Sequence, residues 1–380
     1  MAGYFDNAAT TYKKPNGMYE YVSDYMLHYG ANIGRGNYDI SLQGSSIVAQ
    51  ARERLLRLVG APETKTAVFL PSATVALNTI LFGLNLKKDE VVYISHFEHN
   101  AILRPLYKLE ATVGIKIKFL PMQSNDKFAY DLEATEKAFV DDSPSVVIVS
   151  QVSNVFGVIA PILELSSLAK KYKATMVVDA AQACAIVDCD LLNVDFYVFD
   201  GHKTLLGPTG VGGFICNKNT KLRPYILGGT GVDSANREMP VSVPERFEAG
   251  TMNLMSIVGL SYSLEWILNN KTYIRETERS NLSKLYEILS SYSFIHLVSP
   301  YPNSSSILSS KFDGYTSDEI GRILAERGIA VRTGLHCAPE AHKYVDSFPE
   351  GLVRFSVSCF TDDEDFSFLK EVLDEISIEI

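Results

Sequence analysis

Residues 175–216 read TMVVDAAQACAIVDCDLLNVDFYVFDGHKTLLGPTGVGGFIC, and three short apolar runs stand out in them, at 175–179, 195–199 and 212–216. Such nearly continuous runs are expected of strands buried on both faces. Working outward, similar runs occur at 67–70, 91–95, 116–120 and 145–151, with helical patterns such as 73–85 and 163–172 between them. Strands alternating with helices predict βαβ units and a large, mainly parallel seven-stranded sheet in an α/β/α domain. In such sheets ligands bind beyond the carboxyl ends of the strands, so the residues just after each strand are the candidates for chemistry.

The pattern changes past 227. Residues 227–253 are rich in Gly and Pro and lack a period, as in a functional loop or a linker. Helical periodicity then runs through 254–269 and 275–291. Residues 307–312, 329–332 and 352–358 read as strands. Thr316 with Glu319, and Thr361 with Glu364, have the spacing of capping boxes that open two further helices. This predicts a large domain over 16–253 and a small α/β domain over 254–380, joined by the first 15 residues.

Composition narrows the function. The 380 residues are 46% hydrophobic and 21% charged, enough apolar material for a large core. A net charge of −10 without a basic run argues against nucleic-acid or anionic-membrane partners. No apolar run approaches the roughly 20 residues that span a bilayer. The start has no signal-peptide pattern. Five cysteines without a CxxC pair predict reduced thiols in a cytoplasmic protein and no metal site.

Six motifs carry possible chemistry. Lys203 leaves a strand into a Gly-rich turn. It is either a solvated loop lysine or an amine placed to condense with an aldehyde cofactor. Asp179 ends an apolar strand, either as a helix cap or as the partner of a protonated pyridine nitrogen. Ser72, Ala73 and Thr74 open a helix whose free N–H groups could take a phosphate, or Ser72 is a simple cap. His96 or His99 could stack on a ring or lie on the surface. Cys337 follows a strand beside Arg332 and His336, where positive groups favour a thiolate. Arg354 is the one charge in an apolar strand, paired to a substrate carboxylate or to an internal acid.

In order along the chain, these motifs resemble the class V aminotransferase group of pyridoxal-phosphate enzymes of fold type I. Within it they are similar to the group II cysteine desulfurases, the selenocysteine lyase-like branch. The likeness begins with Asp6-Asn-Ala-Ala-Thr10 and Asn32-Ile-Gly-Arg-Gly36. It runs through His99, Asn154, Asp179, Gln182 and Gly201-His-Lys203, and continues over residues 246–253, Arg332 to Cys337 and Arg354.

The resemblance implies that Lys203 binds pyridoxal 5′-phosphate covalently and moves protons. Asp179 would pair with the ring nitrogen, His99 would stack on the ring, and Asn154 and Gln182 would meet its O3′ side. Ala73, Thr74 and His202 would hold the phosphate, with Thr251 reaching the phosphate of a homodimer partner. Arg354 would bind the carboxylate of L-cysteine, with Arg35, Arg332 and Asn154 beside it. Cys337 would accept sulfur as a persulfide and release alanine. The short spacing from Arg332 to Cys337 implies a thiol of low mobility that serves a separate acceptor protein, as in iron–sulfur cluster assembly.

Two positions depart from the family pattern. Asp200 stands where a phosphate-binding Ser or Thr is usual, and a carboxylate there repels phosphate unless it meets a cation. Gly34 stands where some relatives carry His. A selenocysteine lyase, a cysteine sulfinate desulfinase and a cofactor-impaired scaffold on the same fold are the alternatives.

Overall fold

The computed structural model describes residues 3–33, 36 and 38–379. Seven strands form the large sheet in the spatial order Lys65–Leu70, Gly212–Asn217, Phe196–Asp200, Thr175–Asp179, Pro144–Ser150, Val91–Ile94, Lys116–Phe119. Gly212–Asn217 runs antiparallel to both neighbours, and the remaining pairs are parallel. The expected sheet is therefore present, with one reversed strand.

The apolar runs are continuous where a strand feeds two cores, as all but the partly exposed edge strand Lys116–Phe119 do. Ala67, Phe69, Tyr93, Val147, Val149, Met176 and Val178 enter the core on one face. Val68, Leu70, Val92, Val146, Ile148 and Val177 enter the core on the other. This is the two-residue alternation of a strand, with both sides covered by helices.

A second sheet has the order Ile295–Leu297, Ile307–Phe312, Leu352–Ser356, Arg332–Gly334 and is antiparallel. Its core includes Leu282, Leu285, Leu289, Leu308, Phe355 and Leu369. The two expected helices over 254–291 are one run, Leu254–Ser290, broken only by a non-helical Asn270. Residues Leu254 to Ile274 pack on the large sheet's core and Leu282 to Leu289 on the small one, so this helix links the two cores.

Two local expectations change. Residues 329–332 are not one strand. Ile329–Ala330 pairs with Gly3–Tyr4, and Arg332–Gly334 turns into the small sheet. The last helix, Asp363–Glu379, is capped one residue later than the Thr361 spacing suggested. Asp362 accepts from the Asp365 N–H, and the Asp365 carboxylate accepts from the Asp362 N–H. Thr361 instead accepts from the Ser358 N–H. The Thr316 capping box is present as read.

Residues 227–253 contain no helix or strand. They are nevertheless anchored, because Glu248 accepts from the Phe69 N–H at 2.8 Å and pairs with Arg52 at 2.8 Å. Among the described residues no helix is long and apolar enough to cross a membrane, and no cluster of three His, Cys, Asp or Glu could hold a metal.

Candidate active site

The carboxyl ends of the parallel strands, with the turn after Lys65–Leu70, converge on one cavity. Ala73, Thr74, His99, Ser150, Asn154, Asp179, Gln182, Asp200 and Lys203 line it. A wider groove at Thr64, Thr175, Asp195 and Asn217 lies at the opposite end of the strands.

Asp179 ends its strand, is buried, and accepts from the Ala181 N–H at 3.0 Å. Burial raises its pKa, while that N–H and the Lys203 charge work against the rise. A buried carboxyl facing a cation suits a site that takes a protonated ring nitrogen.

Of the two candidate histidines, His99 lines the cavity. Its Nδ1 accepts from the Ala101 N–H at 3.0 Å, which caps the helix Asn100–Val113 and leaves Nε2 carrying the proton. Burial holds its pKa down at about 4, helped by the charges of Lys203, Arg332, Arg354 and Arg104. A neutral, flat imidazole results. His96 is sandwiched between Phe119 at 4.6 Å and Tyr344 at 4.0 Å, so its faces are taken.

Ser72 caps the helix Ala73–Gly83 by accepting from the Val75 N–H. A Cβ at position 212 would stand 2.8 Å from the Ala73 nitrogen, so glycine is needed for this strand to pass the helix start. Close by, Asp200 Oδ1 and His202 Nδ1 are buried without a partner among the described residues, while Thr204 Oγ1, likewise unpaired, belongs to a separate cavity with Asn7, Thr11 and Ser356. The other oxygen of Asp200 meets His202 Nε2 at 3.4 Å. The free helix N–H groups, with the His202 ring beside them, suit a phosphate, and the Asp200 carboxylate opposes it.

The N-terminal motif holds this turn in place. The His202 carbonyl accepts from the Thr11 N–H, the Thr10 hydroxyl and Lys14 Nζ. The Lys203 carbonyl accepts from the Thr11 hydroxyl at 3.0 Å. Gln182, expected at a ring oxygen, donates Nε2 to the Ala8 carbonyl at 2.7 Å.

Arg354 is buried and already paired: one Nη donates to Asp6 at 2.7 Å and the other to the Asn154 carbonyl at 2.9 Å. The internal-acid alternative therefore holds, although its Nε remains buried without a partner among the described residues. Arg332 lies directly opposite Arg354 across the strand pair. Two facing cations are unfavourable without an anion, and Asp6 neutralises only one of them.

Cys337 is exposed. Arg332 Nη2 lies 3.8 Å from its sulfur. The Cys337 carbonyl accepts from the Asn100 N–H at 2.6 Å, next to His99 in sequence, and Asn154 Nδ2 donates to the His336 carbonyl at 2.7 Å. The thiol loop is thus bonded to the rim of the cavity. His336 and Cys337 both have left-handed backbones, φ 49° and 57°, at a cost of about 1–2 kcal/mol each. Thr251 lies elsewhere, exposed in a separate cavity with Phe69 and Glu248. Arg35 and Gly34 lie outside the described residues.

Residue-by-residue reasoning missed Asp6 as the partner of Arg354, Glu98, and the His336–His342 contact. Glu98 is fully buried and bonded to Ser95 and Ser150. Burial pushes its carboxyl and that of Glu278 up to about 7. Burial holds His96, His99 and His342 down at about 4, and His336 well below its ordinary value. Unfolded histidines take up protons below about pH 6.5, whereas the two glutamates lose theirs on unfolding above about pH 4.5. The histidines outnumber the glutamates, so stability falls on acidification between those values. The urea midpoint is expected to be lower at about pH 5 than at about pH 7, and a higher midpoint at the acid value would contradict this balance.

Known proteins bear on the same arrangement. The family model "Aminotransferase class-V" matches residues 3–369. A cysteine desulfurase of Synechococcus elongatus is 32% identical over 346 residues, covering 88% of this chain but 54% of that protein, so the chain spans about half its length. A Methanothermobacter thermautotrophicus protein named "Probable cysteine desulfurase" is 30% identical, covering 98% of this chain and 94% of its own. The apo cysteine desulfurase of Thermococcus onnurineus superposes with a TM-score of 0.91 at 28% identity, over 100% of this chain and 95% of that one. Members of the matched family use pyridoxal 5′-phosphate, and the cavity has the lysine, the carboxylate and the helix start that this cofactor needs. The chain belongs to the aminotransferase class-V family of pyridoxal-phosphate enzymes.

Proposed function

We propose that the chain is a cysteine desulfurase of the group II type, which converts L-cysteine to L-alanine and keeps the sulfur on Cys337. One observation carries this reading: the hydrogen bond from the Asn100 N–H to the Cys337 carbonyl, which ties an exposed thiol to the wall that holds His99 and Lys203. A transaminase has no use for a thiol in that place.

Pyridoxal phosphate supplies an aldehyde that joins the substrate amine and a ring that draws electrons from Cα. Lys203 is the residue to hold it and to move the Cα proton. Asp179 would pair with the protonated ring nitrogen, and neutral His99 would offer its flat face to the ring. Ala73, Thr74 and His202 would hold the phosphate. Arg332, beside the Cys337 sulfur and opposite the Asp6-paired Arg354, is the cation placed to meet the substrate carboxylate. The Cys337 thiolate attacks the substrate sulfur. The Cβ–S bond breaks, its electron pair stays on Cβ, and a proton completes the methyl group of alanine. The extra sulfur remains on Cys337 as a persulfide for an acceptor protein.

Thr251 completes the phosphate site of a second copy in a homodimer. Support comes from the exposed apolar residues Tyr225, Ile226, Leu227, Val232, Val241 and Met255 along the same stretch. A cytoplasmic setting agrees with five free cysteines.

The reading is tested by alanine and sulfide release from L-cysteine, with L-selenocysteine and cysteine sulfinate run beside it. Cysteine is expected to give both products. Turnover of only one of the other two would reassign the substrate.

Asp200 favours a second reading, a binding protein with an impaired cofactor site. An Asp200→Ser variant removes a charge from the phosphate cup, so cofactor affinity is expected to rise about tenfold. Absorbance titration of the apo-protein measures it. Weaker binding by the variant would show that Asp200 supports the phosphate through His202.

A further inference from the structure

We infer that His336, His342 and Ser347 form a positioning relay that sets the pose of Cys337, an inference that rests on the sulfur chemistry proposed above. The three side chains are buried: His336 is 3% exposed, His342 0% and Ser347 4%. His336 Nε2 lies 3.2 Å from the Arg332 carbonyl, and its Nδ1 lies 3.3 Å from His342 Nε2. His342 Nδ1 lies 2.8 Å from the Ser347 hydroxyl.

The Arg332 carbonyl sets the first proton in this chain, and the Leu335 carbonyl also accepts from the His342 ring. A carbonyl only accepts, so His336 Nε2 must carry its hydrogen. In a neutral ring Nδ1 then accepts, and His342 Nε2 must donate to it. His342 Nδ1 accepts in turn, and the Ser347 hydroxyl donates. All three hydrogens point the same way, from Ser347 toward the strand that carries Arg332. Burial keeps both rings neutral, which this pattern requires.

The relay acts where the backbone is strained. His336 and Cys337 are consecutive non-glycine residues with positive φ. Their carbonyls are fixed by Asn154 and Asn100. The His336 ring is fixed by Arg332 and His342. With all of these in place, the Cys337 sulfur stays beside the Arg332 guanidinium. Without the relay the two residues relax toward right-handed backbone, and the sulfur leaves the guanidinium. His336, His342 and Ser347 touch neither substrate nor cofactor; they are positioning residues.

The test uses the holoenzyme of three variants. His342→Leu breaks the relay. His342→Gln keeps an N–H where Nε2 stood and so still donates to His336. Ser347→Ala frees the far end. Two rates are read: alanine release from L-cysteine, and alkylation of Cys337 by iodoacetamide, followed by peptide mass. His342→Leu is expected to lower kcat and the alkylation rate at least about tenfold, with KM and cofactor absorbance unchanged, because a misplaced nucleophile costs rate rather than binding. His342→Gln is expected to restore both rates to within about threefold of wild type.

A folded His342→Leu protein with wild-type rates would overturn the relay, as would a Gln variant no better than Leu. Should the Leu variant fail to fold, Ser347→Ala decides: alkylation about threefold slower supports the relay, and an unchanged rate overturns it. Alkylation needs no turnover. If wild type released no alanine the proposed function would fail, while the alkylation arm would still judge the relay.

Discussion

A Cys337→Ala variant is expected to release sulfide from L-cysteine at less than about a thousandth of the wild-type rate, because no other group can take the substrate sulfur. The structure makes this loss specific. Cys337 is exposed, and its sulfur lies 3.8 Å from Arg332 Nη2. Removing it opens no core cavity, so the variant is expected to fold and to hold the cofactor with wild-type absorbance. The other four cysteines cannot substitute. Cys184, Cys216 and Cys359 are buried, and burial raises the thiol pKa of Cys184, Cys189 and Cys216 to about 12 and pushes that of Cys359 up as well. Continued sulfide release by the variant would remove the persulfide step from the mechanism.

Lys203→Ala is expected to be at least as damaging, by a different route. The amine at 203 is the one that both reaches into the cavity and shares its wall with Asp179. Without it the cofactor has no covalent hold and Cα has no proton acceptor, and turnover falls by about three orders of magnitude or more. The backbone change is small, because the carbonyls of His202 and Lys203 are held by Thr10, Thr11 and Lys14 whatever side chain stands at 203. The variant is expected to lose the visible absorbance of the bound cofactor while keeping its thermal midpoint. Lys14 is the natural competitor: it reaches the His202 carbonyl at 3.2 Å, and burial lowers its pKa to about 8. If Lys203→Ala kept the absorbance, Lys14 would be the residue to examine.

Much of the scaffold was legible because its strands are buried on both faces. Continuous runs such as 145–151 leave little doubt when one residue feeds each core in turn. The helix Asp39–Leu58 was not singled out, since its buried face begins with Ser41 and Gly44, and small residues give little hydrophobic period. The strand split at 329–332 depends on pairing with Gly3–Tyr4, more than 300 residues away, which no local pattern shows.

The same distinction runs through the site. Lys203, Asp179 and His99 stand next to strand ends, where position alone marks them. The Asp6–Arg354 pair joins positions 348 apart in sequence, so the arginine could be flagged but its partner could not. His342 looks like an ordinary helix residue until the fold sets it against His336. Asp200 was visible as a chemical mismatch, and the structure adds that His202 Nε2 lies 3.4 Å from one of its oxygens.

Peptide mass mapping after borohydride reduction tests the account most directly. Holoenzyme reduced without substrate is expected to carry a pyridoxyl group on the peptide containing Lys203. Holoenzyme treated with L-cysteine is expected to carry one additional sulfur on the peptide containing Cys337. A pyridoxyl group on Lys14, or sulfur on any other cysteine, would contradict it.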